Sequence, residues 1–215
     1  DATVRVQNIR PEAQVSFELV YQGQALAARL QLAGRHNALN AAGAVATLVG
    51  LGFDFEKALE EVARFSGTER RFELHGVVDG VSVYDDFAHH PTEVAAALEG
   101  ARAVVGSGKL ITVFQPHLYS RTRLFAKEFA QVLAASDEVV LLDIYAARED
   151  PEPGVTGELI LNQFEDKKRI HYVPDWDEAP ALAAKLAHSG DFIVTMGCGD
   201  VYRMVPQLLQ ALKDG

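Results

Sequence analysis

Residues 81–94 read VSVYDDFAHHPTEV. Four residues of strand-like alternation, Val81 to Tyr84, run into a polar loop, and Pro91 then opens a helical pattern. Proline suits the first helical position, where its missing N–H costs nothing. Just upstream, Phe72–Val78 and Val81–Asp85 flank Asp79-Gly80, a strong hairpin signal. Downstream, strands and helices alternate. Helices are expected over Thr92–Val104, Arg121–Ala135, Gly157–Phe164, Trp176–Ala187 and Val201–Leu212. Strands are expected over Leu110–Phe114, Glu138–Leu142, Arg169–Tyr172 and Phe192–Met196. This rhythm predicts an α/β fold, a mostly parallel twisted sheet with helices on both faces.

Upstream of residue 69 the pattern differs. Ala2–Val6, Val15–Tyr21 and Ala25–Leu32 alternate like short antiparallel strands, with Gln22-Gly23 as a turn. Asn37–Val49 is Ala-rich and helical, stopped by Gly50 and Gly52, and Phe55–Phe65 is a second amphipathic helix. Ser66-Gly67-Thr68-Glu69 breaks the pattern. Two domains are therefore expected, 1–68 and 69–215.

The chain has 215 residues, 48% hydrophobic and 23% charged, enough for a real core, with a formal charge of −10. That charge repels phosphate backbones and anionic membranes, which argues against nucleic-acid binding and membrane attachment. Cys198 is the one cysteine, so no internal disulfide exists and a reducing cytoplasm fits. No apolar run approaches the roughly 20 residues a membrane helix needs. The opening DATVRVQNIR lacks a leader pattern and reads like the middle of a β-structure, as in a piece of a longer polypeptide.

Three strand-to-helix loops hold most of the reactive side chains: Asp86-Phe87-Ala88-His89-His90, Gln115-Pro116-His117-Leu118-Tyr119-Ser120-Arg121, and Gly197-Cys198-Gly199-Asp200. Loops of this kind share one edge of a parallel sheet, where such folds bind ligands. They bring His89, His90, His117, Arg121 and Asp200 toward one region. Helix N-termini add exposed N–H donors, so a small anionic ligand is expected there. Other readings stand beside this one. Asp85 equally suits a strand end or turn, and His90 a helix cap. Gly197-x-Gly199 also fits a simple tight turn. A metal site, and with it a metal-dependent hydrolase, would need Asp86, His89 and His90 to converge, and no metal-ligand spacing supports them. Arg121 sits at a helix start, a poor place for a cation without an anion.

Gly34-Arg35-His36-Asn37-Ala38-Leu39-Asn40 is the other dense stretch. Asn37 suits a helix cap; Asn37 and Asn40 would also share a helical face and could read the edge of a purine. Arg70-Arg71 is a cationic point beside the expected boundary, or a solvated pair. Val104–Lys109 imitates a phosphate loop but has Ala103 and Leu110 where the pattern requires Gly and Ser or Thr. No genuine phosphate loop occurs in the sequence.

In order along the chain stand GRHNALNAAGAVA, GTERRFE, YDDFAHHPTEV, FQPHLYSRT, LLDIYAAREDPEPGVTG and TMGCGDV. Together, from about Val4 to Leu212, they resemble the carboxyl-terminal half of the Mur ligases, and FQPH with SRT resembles the alanine-adding branch. The resemblance implies the tail of a central ATPase domain over 1–68 and a carboxyl-terminal Rossmann-like domain over 69–215. It implies ATP-driven amide formation in peptidoglycan precursor synthesis, with ATP and Mg²⁺, the metal ligands lying mostly outside this chain. The partners implied are UDP-N-acetylmuramate, L-alanine and amino-terminal domains of the same enzyme. The acceptor's carboxylate would attack the γ-phosphate, and the amine would displace phosphate from the acyl phosphate.

By the same resemblance His36, Asn37 and Asn40 border the adenine, Arg71 reaches the phosphates and Asp86 the ribose. His89 and His90 stand at the junction of nucleotide and acceptor, with catalytic roles shared by Arg71. His117 and Arg121 hold alanine. Phe87 stands where the family often has Tyr, Leu118 where it often has Arg, and Cys198 where it usually has Ala. Lacking a phosphate loop and a UDP domain, the chain alone is expected to be inactive. The alternative is a non-catalytic module that binds an amino acid or nucleotide.

Overall fold

The computed structural model describes residues 4–214. They form two compact units, residues 4–68 with 99–104, and residues 69–98 with 105–214. Of the strand expected over Ala2–Val6, Ala2 and Thr3 lie outside the described residues.

In the first unit β1 (Val4–Arg10), β2 (Ser16–Tyr21) and β3 (Gln24–Arg29) form an antiparallel sheet in the order β1-β2-β3. Helices α1 (Arg35–Gly50) and α2 (Phe55–Ala63) follow. Phe17 and Leu19 of β2 pack with Ala38, Ala41, Val45, Phe55 and Leu59 of the helices. The i, i+3/i+4, i+7 spacing of the α1 residues supplies the stripe this burial needs. Asp54 caps α2, its carboxylate accepting from Lys57 N at 3.0 Å. The helix at Asn37 starts two residues earlier than the sequence suggests, at Arg35 after Gly34.

The second unit is a six-stranded sheet in the order β4-β5-β9-β6-β7-β8. Its strands are β4 (Glu73–Val78), β5 (Val81–Asp86), β6 (Leu110–Phe114), β7 (Glu138–Leu141), β8 (Ile170–Tyr172) and β9 (Phe192–Met196). Only β4 is antiparallel, joined to β5 by the Asp79-Gly80 turn with both φ values positive, 49° and 80°. Central β6 is buried along its whole length, as expected of a parallel strand covered on both faces.

The helices are α3 (Pro91–Val105), α4 (Tyr119–Leu133), α5 (Glu158–Leu161), α6 (Ala179–Leu186) and α7 (Val205–Asp214). Connections β5→β6→β7→β8 run one way across the sheet and β8→β9 runs back. Right-handed crossovers therefore put α6 on the face opposite α4 and α5. There α6 and α7 bury Ala179, Ala183, Val205, Leu208 and Leu212 against Val83, Ile111, Val113 and Ile193. On the α4 side Phe114 packs on Phe129, centroids 5.2 Å apart. Because β9 returns between β5 and β6, the chain leaves neighbouring strands toward opposite faces. This opens a crevice at their carboxyl ends. Registers align Asp86, Met196, Phe114 and Leu141, so the three chemistry-bearing loops leave the sheet at one level.

Helix ends differ from expectation for identifiable reasons. The last helix divides into a 3₁₀ turn at Val201–Met204 and α7, because Pro206 cannot donate back to Tyr202. The helix expected from Trp176 begins at Ala179, with Pro180 in its first turn. Helix α4 begins two residues early because Glu149, remote in sequence, accepts from Ser120 N at 2.9 Å. No helix among the described residues is long and apolar enough to cross a membrane.

Candidate functional site

The crevice is organised from beneath by a cation that sequence reading passed over in favour of its neighbour Arg71. Arg70 Nε donates to Asp85 Oδ2 at 2.9 Å, and Asp85 is fully buried. Arg70 Nη2 donates to Gly197 O at 2.7 Å and Arg70 Nη1 to Gly199 O at 3.4 Å. The guanidinium lies over Tyr202 at 4.4 Å and Phe87 at 5.0 Å. Asp85 Oδ1 accepts from Thr195 Oγ1 at 2.6 Å. One arginine thus ties the β5 end to the β9 loop. A signal was present: a strand-terminal Asp that points inward must find a cation, and Arg70 is a near candidate.

Asp86 organises the loop after β5. Its Oδ1 accepts from Ala88 N and its Oδ2 from Phe72 N, each at 2.8 Å. Burial pushes its carboxyl up, against the pull of those two hydrogen bonds and of Arg71. At 5% exposure this carboxylate shapes the loop from within. His90 Nδ1 accepts from Thr92 N at 3.4 Å and its ring edges Phe125, so its geometry is that of the helix cap. Arg71 is exposed, 5.6 Å from the Phe87 ring.

His89, His117 and Arg121 converge. The two imidazole centroids are 5.9 Å apart. Arg121 NH1 lies 3.4 Å from both His89 O and His117 Nδ1. Arginine only donates, so His117 Nδ1 accepts and the neutral ring carries its proton on Nε2. Burial first, then Arg121 and His89, push the His117 pKa down. His117 stacks on Tyr145 at 5.8 Å, the two residues bridged through Tyr145 N to Pro116 O and Leu118 N to Tyr145 O. Among the described residues no carboxylate pairs with Arg121, which sits in the first turn of α4 with long hydrogen bonds to His89 O and His117 and the Cys198 thiol beside it. That is the geometry of a cation placed for an anionic ligand.

The glycine loop closes the other side. A Cβ at Gly197 would stand 2.8 Å from Gln115 O, and one at Gly199 2.5 Å from Gln115 Oε1 and 2.7 Å from Tyr145 Cγ. Gln115 itself donates to Asp200 Oδ1 at 2.9 Å and accepts from Val201 N at 3.2 Å. Asp200 is thus a partner of Gln115 in the loop. The half-buried Cys198 lies beside Arg121, its thiol pushed up by burial and drawn back by that arginine. Leu118 is buried at 6% and belongs to the core.

In the first unit His36, Asn37 and Asn40 stand in the opening turns of α1. Asn37 is inside the helix, and its Nδ2 donates to Ala33 O at 2.8 Å, so it does not cap. Its Oδ1 lies 3.5 Å from Asn40 Nδ2, leaving a carboxamide acceptor and donors on one face. No group of three or more His, Cys, Asp or Glu among the described residues could hold a metal ion.

Residues 70–199 match the family described as Mur ligase, glutamate ligase domain. The chain belongs to the Mur ligase family. A UDP-N-acetylmuramate--L-alanine ligase of Clavibacter michiganensis subsp. michiganensis is 56% identical over 213 residues, covering 99% of this chain and 45% of that protein. One of the same name from Thermobifida fusca is 53% identical over 191 residues, covering 85% and 40%. The chain thus spans less than half the length of these relatives. The crystal structure of a UDP-N-acetylmuramate-alanine ligase from Thermotoga maritima superposes with a TM-score of 0.79 at 24% identity, over 100% of this chain and 46% of that one. This likeness shows the shared fold.

Asp85→Asn should cost about 3 kcal/mol in urea unfolding, since it strands a partly buried guanidinium. Arg64→Ala, which breaks the exposed pair of Arg64 with Glu61, should change stability by under about 0.5 kcal/mol. His117 should protonate below the ordinary histidine range in an NMR titration, and Arg121→Ala should move it upward. The depressed value means the folded chain takes this proton less readily than the unfolded one. The stability His117 contributes is present above the unfolded value and is lost as pH falls through the folded one.

Proposed function

We propose that this chain supplies the amino-acid subsite, and part of the ATP site, of an ATP-dependent ligase. The reaction joins L-alanine to the lactyl carboxylate of UDP-N-acetylmuramate in peptidoglycan precursor synthesis. The observation that carries this reading is Arg121, a cation at the N-terminus of α4 with no carboxylate partner among the described residues, flanked by His117 and His89. The close relatives named for the same reaction support it. Residues 1–68 are then the tail of the central ATPase domain and 69–215 the carboxyl-terminal Rossmann-like domain, in a cytoplasmic enzyme.

Arg121 would pair with the alanine carboxylate, and the neutral His117 would donate from Nε2 without adding a competing charge. Holding the carboxylate with two donors turns a bimolecular attack into an oriented one. The amine must shed a proton before it can attack the acyl phosphate, and His89 is placed to take it. His36, Asn37 and Asn40 would border the adenine, and the exposed Arg71 would meet phosphate. His90 keeps its capping role. Among the described residues no cluster of three or more potential ligands suits a metal ion, so Mg²⁺, where the reaction uses it, would be held by other residues. With no phosphate loop, the 215-residue chain alone should release no ADP in response to L-alanine.

In the full-length ligase carrying this chain, Arg121→Ala should raise KM for L-alanine at least about tenfold, the equivalent of one charge-assisted hydrogen bond. Unchanged alanine dependence would refute the assignment. Asn37→Ala should weaken ATP more than alanine in steady-state kinetics. Equal effects on both substrates would mark Asn37 as a purely structural residue of α1.

A further inference from the structure

Glu93 is the third residue of α3, and an acidic side chain there suits the helix dipole. Its contacts go further. Glu93 Oε2 stands 3.2 Å from His89 N and 3.2 Å from His89 Nδ1. The same Nδ1 lies 3.0 Å from Phe87 O. A carbonyl and a carboxylate only accept, so Nδ1 carries the proton, and neutral His89 keeps its lone pair on Nε2. His117 is set the opposite way by Arg121, which only donates. Two neighbouring imidazoles are thus held in opposite tautomers, one offering a lone pair and the other an N–H. The charged and titratable groups facing His89 are Glu93 from α3 and His117 and Arg121 from the β6–α4 segment. Among the described residues Glu93 is the one carboxylate within ion-pair reach of the ring.

We propose that Glu93 is a positioning residue for the proton transfer that frees the amine. Phe87 O holds His89 in the Nδ1–H tautomer, and Glu93 sets a negative charge 3.2 Å from that nitrogen, against the imidazolium that forms. The arrangement is that of a base oriented by a third group. The proposal rests on the amine-adding reading of this site. The alanine ammonium gives one N–H proton to His89 Nε2. The nitrogen pair so freed attacks the carbonyl carbon of the acyl phosphate. The C–O bond to phosphate breaks, phosphate leaves with that electron pair, and the new amide nitrogen gives its second proton to the departing phosphate. Imidazolium Nδ1–H remains bonded to Phe87 O with the Glu93 carboxylate beside it, while the Nε2 proton passes to water.

Glu93 also accepts from the His89 backbone, so a purely structural role must be separated from a positioning one. Glutamine can accept that backbone N–H through its own oxygen but carries no charge; alanine can do neither. The test compares Glu93→Gln and Glu93→Ala in the full-length ligase, with ¹⁵N histidine spectra of the 215-residue chain. Glu93→Gln should retain the wild-type melting temperature. It should lower kcat about tenfold or more, as expected when a general base is misdirected, and leave KM for L-alanine within about twofold. The His89 ¹⁵N signals should keep the Nδ1–H tautomer, because Phe87 O still accepts from that nitrogen. Full kcat in Glu93→Gln beside a destabilised Glu93→Ala would overturn the proposal and leave Glu93 a helix cap. A His89 tautomer that changes in Glu93→Gln would overturn it as well, since the loss of kcat would then follow the tautomer and not the charge. An enzyme indifferent to L-alanine would overturn the functional reading together with the proposal. That failure is recognisable because the unsubstituted ligase would show it too.

Discussion

The second unit depends on a charge taken out of water. Asp85 ends β5 with no exposure, where an unpaired carboxylate would be untenable. Arg70 meets it, and the planar guanidinium then has donors left for two carbonyls of the β9 loop and two faces left for aromatic rings. Each contact is modest alone. Together they compel the hairpin lead, the β5 loop and the glycine loop to adopt one mutual arrangement, because none can move without stranding a buried polar group.

Close approach is the second constraint. Gly197 and Gly199 pass so near Gln115 and Tyr145 that neither tolerates a side chain in place. Gln115 uses that proximity, reaching Asp200 and Val201 N with the two ends of one carboxamide. The loops after β6 and β9 are therefore stitched to each other as firmly as those after β5 and β9. What remains mobile in chemistry is protons. Arg121, His117 and His89 stand on a rigid floor, and their donor and acceptor roles follow from partners that have only one role to play.

The departures from the family pattern fall into place physically. Phe87 lacks a hydroxyl, yet its ring still lies beneath Arg70 and Arg71 and edges His89 at 5.4 Å. Leu118 points into the core at a left-handed φ of 73°, its carbonyl held by Thr122. Cys198 puts a half-buried thiol beside Arg121, so it bears on the amino-acid subsite proposed there.

Much of this was readable from local chemistry. Alternating apolar runs, Asp79-Gly80 and Pro91 determined where strands, hairpin and helix lie, since period and turn residues are properties of a few neighbours. The three reactive loops followed from strand-to-helix order alone, and so did the convergence of His89, His117 and Arg121. Tertiary structure decided what each side chain does there. It chose Arg70 over Arg71 as the buried partner of Asp85, turned Asp86 inward to two backbone N–H groups, made His90 a cap, and brought Glu149 to the start of α4. Each choice turns on which atom lies within hydrogen-bond reach across a long sequence separation, and residue spacing along a chain carries no measure of that distance.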